Sequence, residues 1–223
     1  IKVMNITFGI ITNKFVSDEV LNSIHNQNIP SYEIIVVGGE DKYWINKQID
    51  LYIPFTDEDK PYTIKKNLIT ENASFDNIVY LHDYYFFLED WYHGFKKFGD
   101  DWDICMNVVK NKDGSRFRDW CVYDDPNLNW PYGDEPINFD DTHRLMLPPY
   151  SYDKKKFMYI SGGYWLAKKY VMEEEPLNEK LGWGESEDVE WSKRVLNKFS
   201  YKMNTYSTVQ TLKDKRLSAE YVN

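Results

Sequence analysis

Apolar positions along this chain recur at two spacings, and the switching between them predicts an α/β architecture. Residues 3 to 12 (VMNITFGIIT) read as a strand, and residues 17 to 27 (SDEVLNSIHNQ) place Val20, Leu21 and Ile24 on one helical face with Ser17 as the cap. Asn28 to Pro30 stops that helix. EIIVV at 33 to 37 is then an unbroken apolar run ending in Gly38-Gly39, the pattern of a strand buried on both faces of a parallel sheet. Strand, helix and strand make a βαβ unit. A third strand is expected from Ile49 to Phe55. A helix follows over residues 62 to 73, with Ile64, Leu68 and Ile69 at helical spacing, and then a buried strand from Asn77 to Leu81 that stops at His82-Asp83.

Residues 110 to 156 lack periodicity and are rich in Pro, Gly, Asp and Asn, which predicts a long irregular loop with a hairpin turn at Asp113-Gly114. Long ordered loops in compact domains usually serve function, so this one reads as acceptor-side or lid-like. FMYISGGYWLAKK predicts strand, turn and helix; GWGESEDVEWSKRVLNKF predicts a loop running into a helix; YKMNTYSTVQTLK predicts a last strand. Ligands of open α/β sheets bind beyond the carboxyl ends of the strands. Four places meet that description: Thr12-Asn13, Gly38 to Asp41, His82-Asp83 and Gly162-Gly163.

At 223 residues the chain is long enough for one large domain with a full core. Its two cysteines, Cys105 and Cys121, form no disulfide framework and predict a reducing, cytoplasmic setting. The chain begins at Ile1, so its start is expected to be missing or the chain to be one domain of a longer protein. No apolar run approaches the roughly twenty residues needed to cross a bilayer. A formal net charge of −9 argues against nucleic acid and anionic membranes as partners. An anionic small ligand would need a metal ion or placed lysines, of which Lys65/Lys66 and Lys168/Lys169 are available. Aromatics make 17% of the chain, which suits sugar-stacking faces and, more commonly, a core; Tyr84 to Phe87 are expected in the core.

His82-Asp83 can hold a divalent cation, or Asp83 can cap a turn while His82 hydrogen-bonds inside. Gly162-Gly163 can admit a ligand to the backbone, or simply make a tight turn. In GWGESEDVEW, Ser186 is expected to cap a helix whose Val189, Ser192, Leu196 and Phe199 face the core, with Glu190 and Arg194 paired outward. Glu187 and Asp188 then occupy the first turn. There they serve either as ordinary dipole-stabilised residues or as an acceptor ligand and a general base.

The order of these segments resembles a GT-A glycosyltransferase, a nucleotide-sugar-dependent enzyme with a Rossmann-like sheet. FGIITN…SIHNQNIPSYEIIVVGG is similar to the opening of family 2-like members, KKN at 65 to 67 to their basic-Asn helix, and NIVYLHDYYFF to their metal-binding Asp-x-Asp strand end. SGGYWLAKK…LGWGESEDVEW resembles their acceptor-side glycine turn and Glu-Asp motif, and the GWG-acidic motif of galactosyltransferase-like members. The resemblance runs from about residue 5 to 200. It implies one domain over residues 1–223, with a nucleotide-sugar half at about 1–105 and an acceptor half at about 106–223. It further implies that Thr12, Gly39, Glu40, Lys66, Asn67, His82 and Asp83 bind the donor, a UDP-sugar by preference, with Mn²⁺ or Mg²⁺ held by Asp83 and His82. Gly163, Trp183 and Glu187 would bind a glycan, protein or small-molecule acceptor, and Asp188 would be the base of an inverting transfer. Three features depart from the pattern. Asp-x-Asp is His82-Asp83-Tyr84, Gly38-Gly39 stands where a nucleobase-binding Asp is expected, and no His follows Asp188. A binding or scaffold domain without catalysis and, less favoured, a nucleotidyltransferase are the alternatives.

Overall fold

The computed structural model describes residues 4–41, 48–56, 62–122, 147, 148, 150, 151, 153, 158–182 and 184–215. β1 (Ile6–Ile11), β2 (Tyr32–Val37), β3 (Leu51–Ile53) and β4 (Asn77–His82) lie parallel in the order β3-β2-β1-β4. Every position of β1 is buried and all but the last of β4, as expected of strands covered on both faces. The crossovers carry α1 (Asp18–His25) and α2 (Tyr62–Asn72). The Ser17 hydroxyl caps α1 by accepting from Val20 N at 3.3 Å, and Val20, Leu21 and Ile24 are the residues it buries.

The sheet continues with β9 (Tyr164–Lys168), antiparallel to both β4 and β6 (Ile104–Lys110). β10 (Tyr201–Thr211) then runs parallel to β6, and β5 (Tyr85–Phe87) closes the edge antiparallel to β10. The result is a mixed, mostly parallel eight-stranded sheet. β7 (Trp120–Val122) and β8 (Met158–Ile160) pair separately. α3 (Trp91–Phe98), α4 (Lys169–Glu174) and α5 (Glu187–Val195) complete the elements.

Three expectations need correction. YWLAK at 164 to 168 is strand β9, not helix: its bulky residues are all buried between β4 and β6, so tertiary packing sets the conformation. Ser186 does not cap α5 through its hydroxyl. Its backbone is left-handed (φ 59, ψ 42), whereas a capping side chain needs an extended residue. α5 also buries Trp191 and Val195 beside Ser192 and Leu196, while Val189 is half-buried against a small cluster with Tyr159, because the large indole takes the most buried position. Trp191 packs on Trp165 at 4.7 Å between ring centres and donates to the Glu175 carbonyl at 2.6 Å, so its loss would cost about 3–5 kcal/mol. Within residues 110–156, the turn at Asp113-Gly114 is present, with Asn111 N donating to Ser115 O at 2.8 Å. Most of the remainder lies outside the described residues.

β2 ends in Gly38 and Gly39, both at positive φ (+91 and +85). A Cβ on Gly39 would lie 2.5 Å from the Lys14 carbonyl oxygen. Gly39→Ala should therefore cost at least the ~1–2 kcal/mol of a left-handed alanine, lowering Tm by roughly 2–4 °C per kcal/mol, which differential scanning calorimetry reads directly. Cys105 and Cys121 are free and buried. No helix among the described residues is long and apolar enough to cross a membrane.

Candidate active site

Register brings the four strand-end places together. Ile11 pairs with Val37 on one side and His82 on the other, so Thr12, Gly38 and Asp83 emerge side by side. The Thr12 hydroxyl donates to Asp83 Oδ2 at 2.6 Å, and Lys65 Nζ donates to the Thr12 carbonyl (2.9 Å) and Asn13 Oδ1 (2.7 Å). Because β9 runs antiparallel to β4, with Leu81 opposite Tyr164, the turn at Gly162-Gly163 arrives at the same edge. His82 N donates to Gly163 O at 3.0 Å, and Gly162 N donates to Asp188 Oδ2 at 3.0 Å, which ties the start of α5 to the end of β4.

Between these parts lies a cavity of ≈ 530 Å³ whose walls include His82, Tyr84, Arg118, Glu187, Asp188 and Lys215. The Asp188 carboxylate is fixed: its second oxygen accepts from Val189 N at 2.9 Å. Glu187 is half-buried beside it. Burial and the neighbouring Asp188 hold Glu187 above the usual carboxylate range, while Lys66 pulls the other way. Lys66 is buried on α2 and donates to the Gly162 carbonyl at 2.6 Å. Burial lowers its pKa, and Glu187 and Asp188 oppose that shift. Lys66, expected near the donor, lies where the charges of Glu187 and Asp188 act on it.

Asn67, the next residue along the helix, points elsewhere. It donates to Leu177 O (3.0 Å) and Glu179 Oε1 (2.9 Å) and accepts from Leu177 N (3.1 Å), which leaves it holding the loop after α4. Gly39 and the exposed Glu40 stand at the end of β2, where Tyr52 Oη donates to the Gly39 carbonyl at 3.0 Å. A Cβ on Gly163 would come within 2.8 Å of Tyr85 Oη and 3.1 Å of Tyr84 Oη, so only glycine fits under the two tyrosines. Trp183 lies outside the described residues. Glu185, left open by the sequence, accepts from Gly182 N at 2.5 Å and closes the loop before α5. Glu190 pairs with Arg194 at 3.0 Å, as expected.

Arg118, Lys215, Tyr62 and Tyr84 also line the cavity and were not singled out as site residues. Arg118 sits just before β7 in the stretch without periodicity and Lys215 just beyond β10, so no spacing signal marks either. Tyr84 is half-buried rather than core, with Lys215 Nζ 3.4 Å from its ring centre.

The implied metal ligands, His82 and Asp83, do not form a donor set for a hard dication. Such ions take several oxygen ligands. Here the single carboxylate already receives the Thr12 hydroxyl; burial raises its pKa, and Thr12, Lys215 and Lys213 oppose that shift. Burial, reinforced by Lys66, Lys215 and Lys65, holds His82 well below its usual range, so its imidazole is neutral among cations. Among the described residues, no group of three or more His, Cys, Asp or Glu could hold a metal ion.

No protein-family profile matches the sequence, and no curated protein matches it. Solved structures do match in shape. TarS of S. aureus, residues 1–349, aligns at 14% identity over 95% of this chain and 59% of its own, with a TM-score of 0.56. The same protein in complex with UDP aligns at 14% identity over 99% of this chain and 61% of its own, TM-score 0.55. GalNAc-T7 with UDP, GalNAc and Mn²⁺ aligns at 13% identity over 96% of this chain and 44% of its own, TM-score 0.62. This chain thus spans 44% to 61% of the length of these structures. Sheet order, strand directions and these matches agree: the chain has the GT-A glycosyltransferase fold.

Proposed function

We propose that this chain is an inverting glycosyltransferase that moves a sugar from a nucleoside-diphosphate sugar to an acceptor hydroxyl. The observation that carries the reading is the Glu187-Asp188 pair, locked by Gly162 N and underlain by Lys66, facing into one cavity with Arg118 and Lys215. That cavity lies at the carboxyl end of β4, where α/β sheets bind ligands. Thr12, Gly39 and Glu40 border the nucleoside; UDP is favoured because two of the matching structures contain it. Gly163 lines the sugar cleft and Glu187 binds the acceptor, a glycan, protein or small molecule. Asp188 takes the proton as the acceptor oxygen bonds to the anomeric carbon. The bond from that carbon to the diphosphate oxygen breaks, and its electron pair leaves with the nucleoside diphosphate. Residues 1–105 act as the donor half and 106–223 as the acceptor half of one domain, in a reducing, cytoplasmic setting suited to its free thiols.

Mn²⁺ or Mg²⁺ at Asp83 and His82, the charge-neutralising ion that the resemblance implies, does not fit that donor set. For the function as a whole, a binding domain without catalysis is favoured by the tyrosines around the cavity. Incubation with nucleotide sugars and a mixed acceptor panel, followed by assay of released nucleoside diphosphate, separates transferase from binding domain. Release above the buffer rate supports the transferase; glycan binding with no release from any nucleotide sugar contradicts it.

A further inference from the structure

The geometry points to Arg118 and Lys215 as the clamp that receives the donor's diphosphate and replaces the divalent cation usual for such a site. This inference rests on the glycosyltransferase reading and adds a charge-handling device to it. Both cations line the cavity that holds Glu187 and Asp188. Neither forms a salt bridge among the described residues; Arg118 Nη2 donates to Tyr159 Oη at 3.5 Å and Asp188 attracts its charge, while its Nε is buried without a hydrogen-bond partner. Lys215 Nζ rests on the Tyr84 ring, while the nearby Asp83 carboxylate is engaged by Thr12. Unpaired cations are costly to shield from water unless an anion joins them. Burial, with Lys213 and Arg118, pushes Lys215 down to about 8, against the opposing pull of Asp83.

The shape of the groups suits phosphate. A guanidinium offers paired N–H donors to two phosphate oxygens, and an ammonium adds a compact charge. His82 lines the same wall, and its Nε2 has no hydrogen-bond partner among the described residues. A divalent cation at Asp83 and His82 would instead sit near Lys65, Lys66 and Lys215, and like charges disfavour it. In the transfer step the electron pair of the broken carbon–oxygen bond goes to the β-phosphate. The clamp stabilises that charge without itself gaining or losing a proton.

The test is isothermal titration calorimetry of the full chain with UDP, GDP, uridine and guanosine, first in EDTA and then with Mn²⁺. One diphosphate should bind in EDTA with a Kd within about threefold of its value in Mn²⁺. Arg118→Gln and Lys215→Gln should each weaken that diphosphate by about 10- to 100-fold, the loss expected for a charged hydrogen bond, with nucleoside binding unchanged. Arg118→Lys should recover part of the loss. Binding that requires Mn²⁺ would overturn the clamp and leave the transferase reading standing. Variants that weaken nucleoside and diphosphate alike would also overturn it. If no diphosphate binds in either buffer, both readings fall. Near-UV circular dichroism checks each variant's fold, and should Arg118→Gln not fold, Lys215→Gln at the half-exposed position decides.

Discussion

Asp188→Asn should reduce sugar transfer by about 10²- to 10⁴-fold, the contribution of a positioned general base, while leaving Tm and donor affinity almost unchanged. The asparagine side-chain oxygen can still accept from Gly162 N, now 3.0 Å from Asp188 Oδ2, so the tie between α5 and the β8–β9 turn survives, and only the local bond from Val189 N to the second oxygen is lost. What is lost is the capacity to take the acceptor's proton. The effect belongs in kcat, because the proton moves only as the transition state forms. Transfer kinetics alongside a thermal melt check both halves. Near-normal kcat in Asp188→Asn would move the base to Glu187, and Glu187→Gln would then carry the loss.

Lys66→Met should be the most damaging change outside the cavity wall. It removes a charged hydrogen bond to the Gly162 carbonyl, worth on the order of 1.5–3 kcal/mol, and leaves two half-buried carboxylates without their counter-charge. Glu187, already raised by burial, should rise further, since Lys66 is the largest influence holding it down. The sign of the pH dependence follows. A carboxyl whose folded pKa lies above its unfolded value favours the fold when protonated and loses that contribution as pH rises through the folded pKa. The stability deficit of Lys66→Met should therefore be larger at pH 7 than at pH 5, and the acid limb of the transfer rate should move to higher pH. Melts and rates across that range test it. A deficit independent of pH would mean that Lys66 only packs against the turn and does not balance Glu187.

The architecture of the first eighty or so residues was legible because its signals are local. Val20, Leu21 and Ile24 repeat at helical spacing behind a serine cap, EIIVV is apolar throughout, and β1, α1, β2, α2 and β4 all form where those patterns lie. The elements at 85 to 110 went unread, although Trp91, Tyr92 and Phe95 lie on the buried face of α3. β9 was misread because its state depends on β4 and β6, which lie far from it in sequence. The site divides the same way. Thr12, Gly39 and His82-Asp83 were visible as strand ends, and Glu187-Asp188 as a helix start. Side-chain direction was not visible: Lys66 and Asn67 are neighbours on α2, yet one reaches the Gly162 carbonyl and the other Leu177. Arg118 and Lys215 enter the cavity only through tertiary folding, from positions with no periodic pattern around them.

The central claim is that the cavity at the strand ends takes a nucleotide sugar. A thermal-shift panel of UDP- and GDP-sugars, each with and without Mn²⁺, tests it most directly, since a ligand that binds only the folded state stabilises it by RT ln(1 + [L]/Kd). At about 100 times Kd this amounts to roughly 2.7 kcal/mol, a rise in Tm of several degrees for a chain of this size. The account predicts such a rise with at least one nucleotide sugar, retained in the control variant Glu185→Gln and in EDTA. No rise with any nucleotide sugar, together with a rise with free glycans, would contradict it.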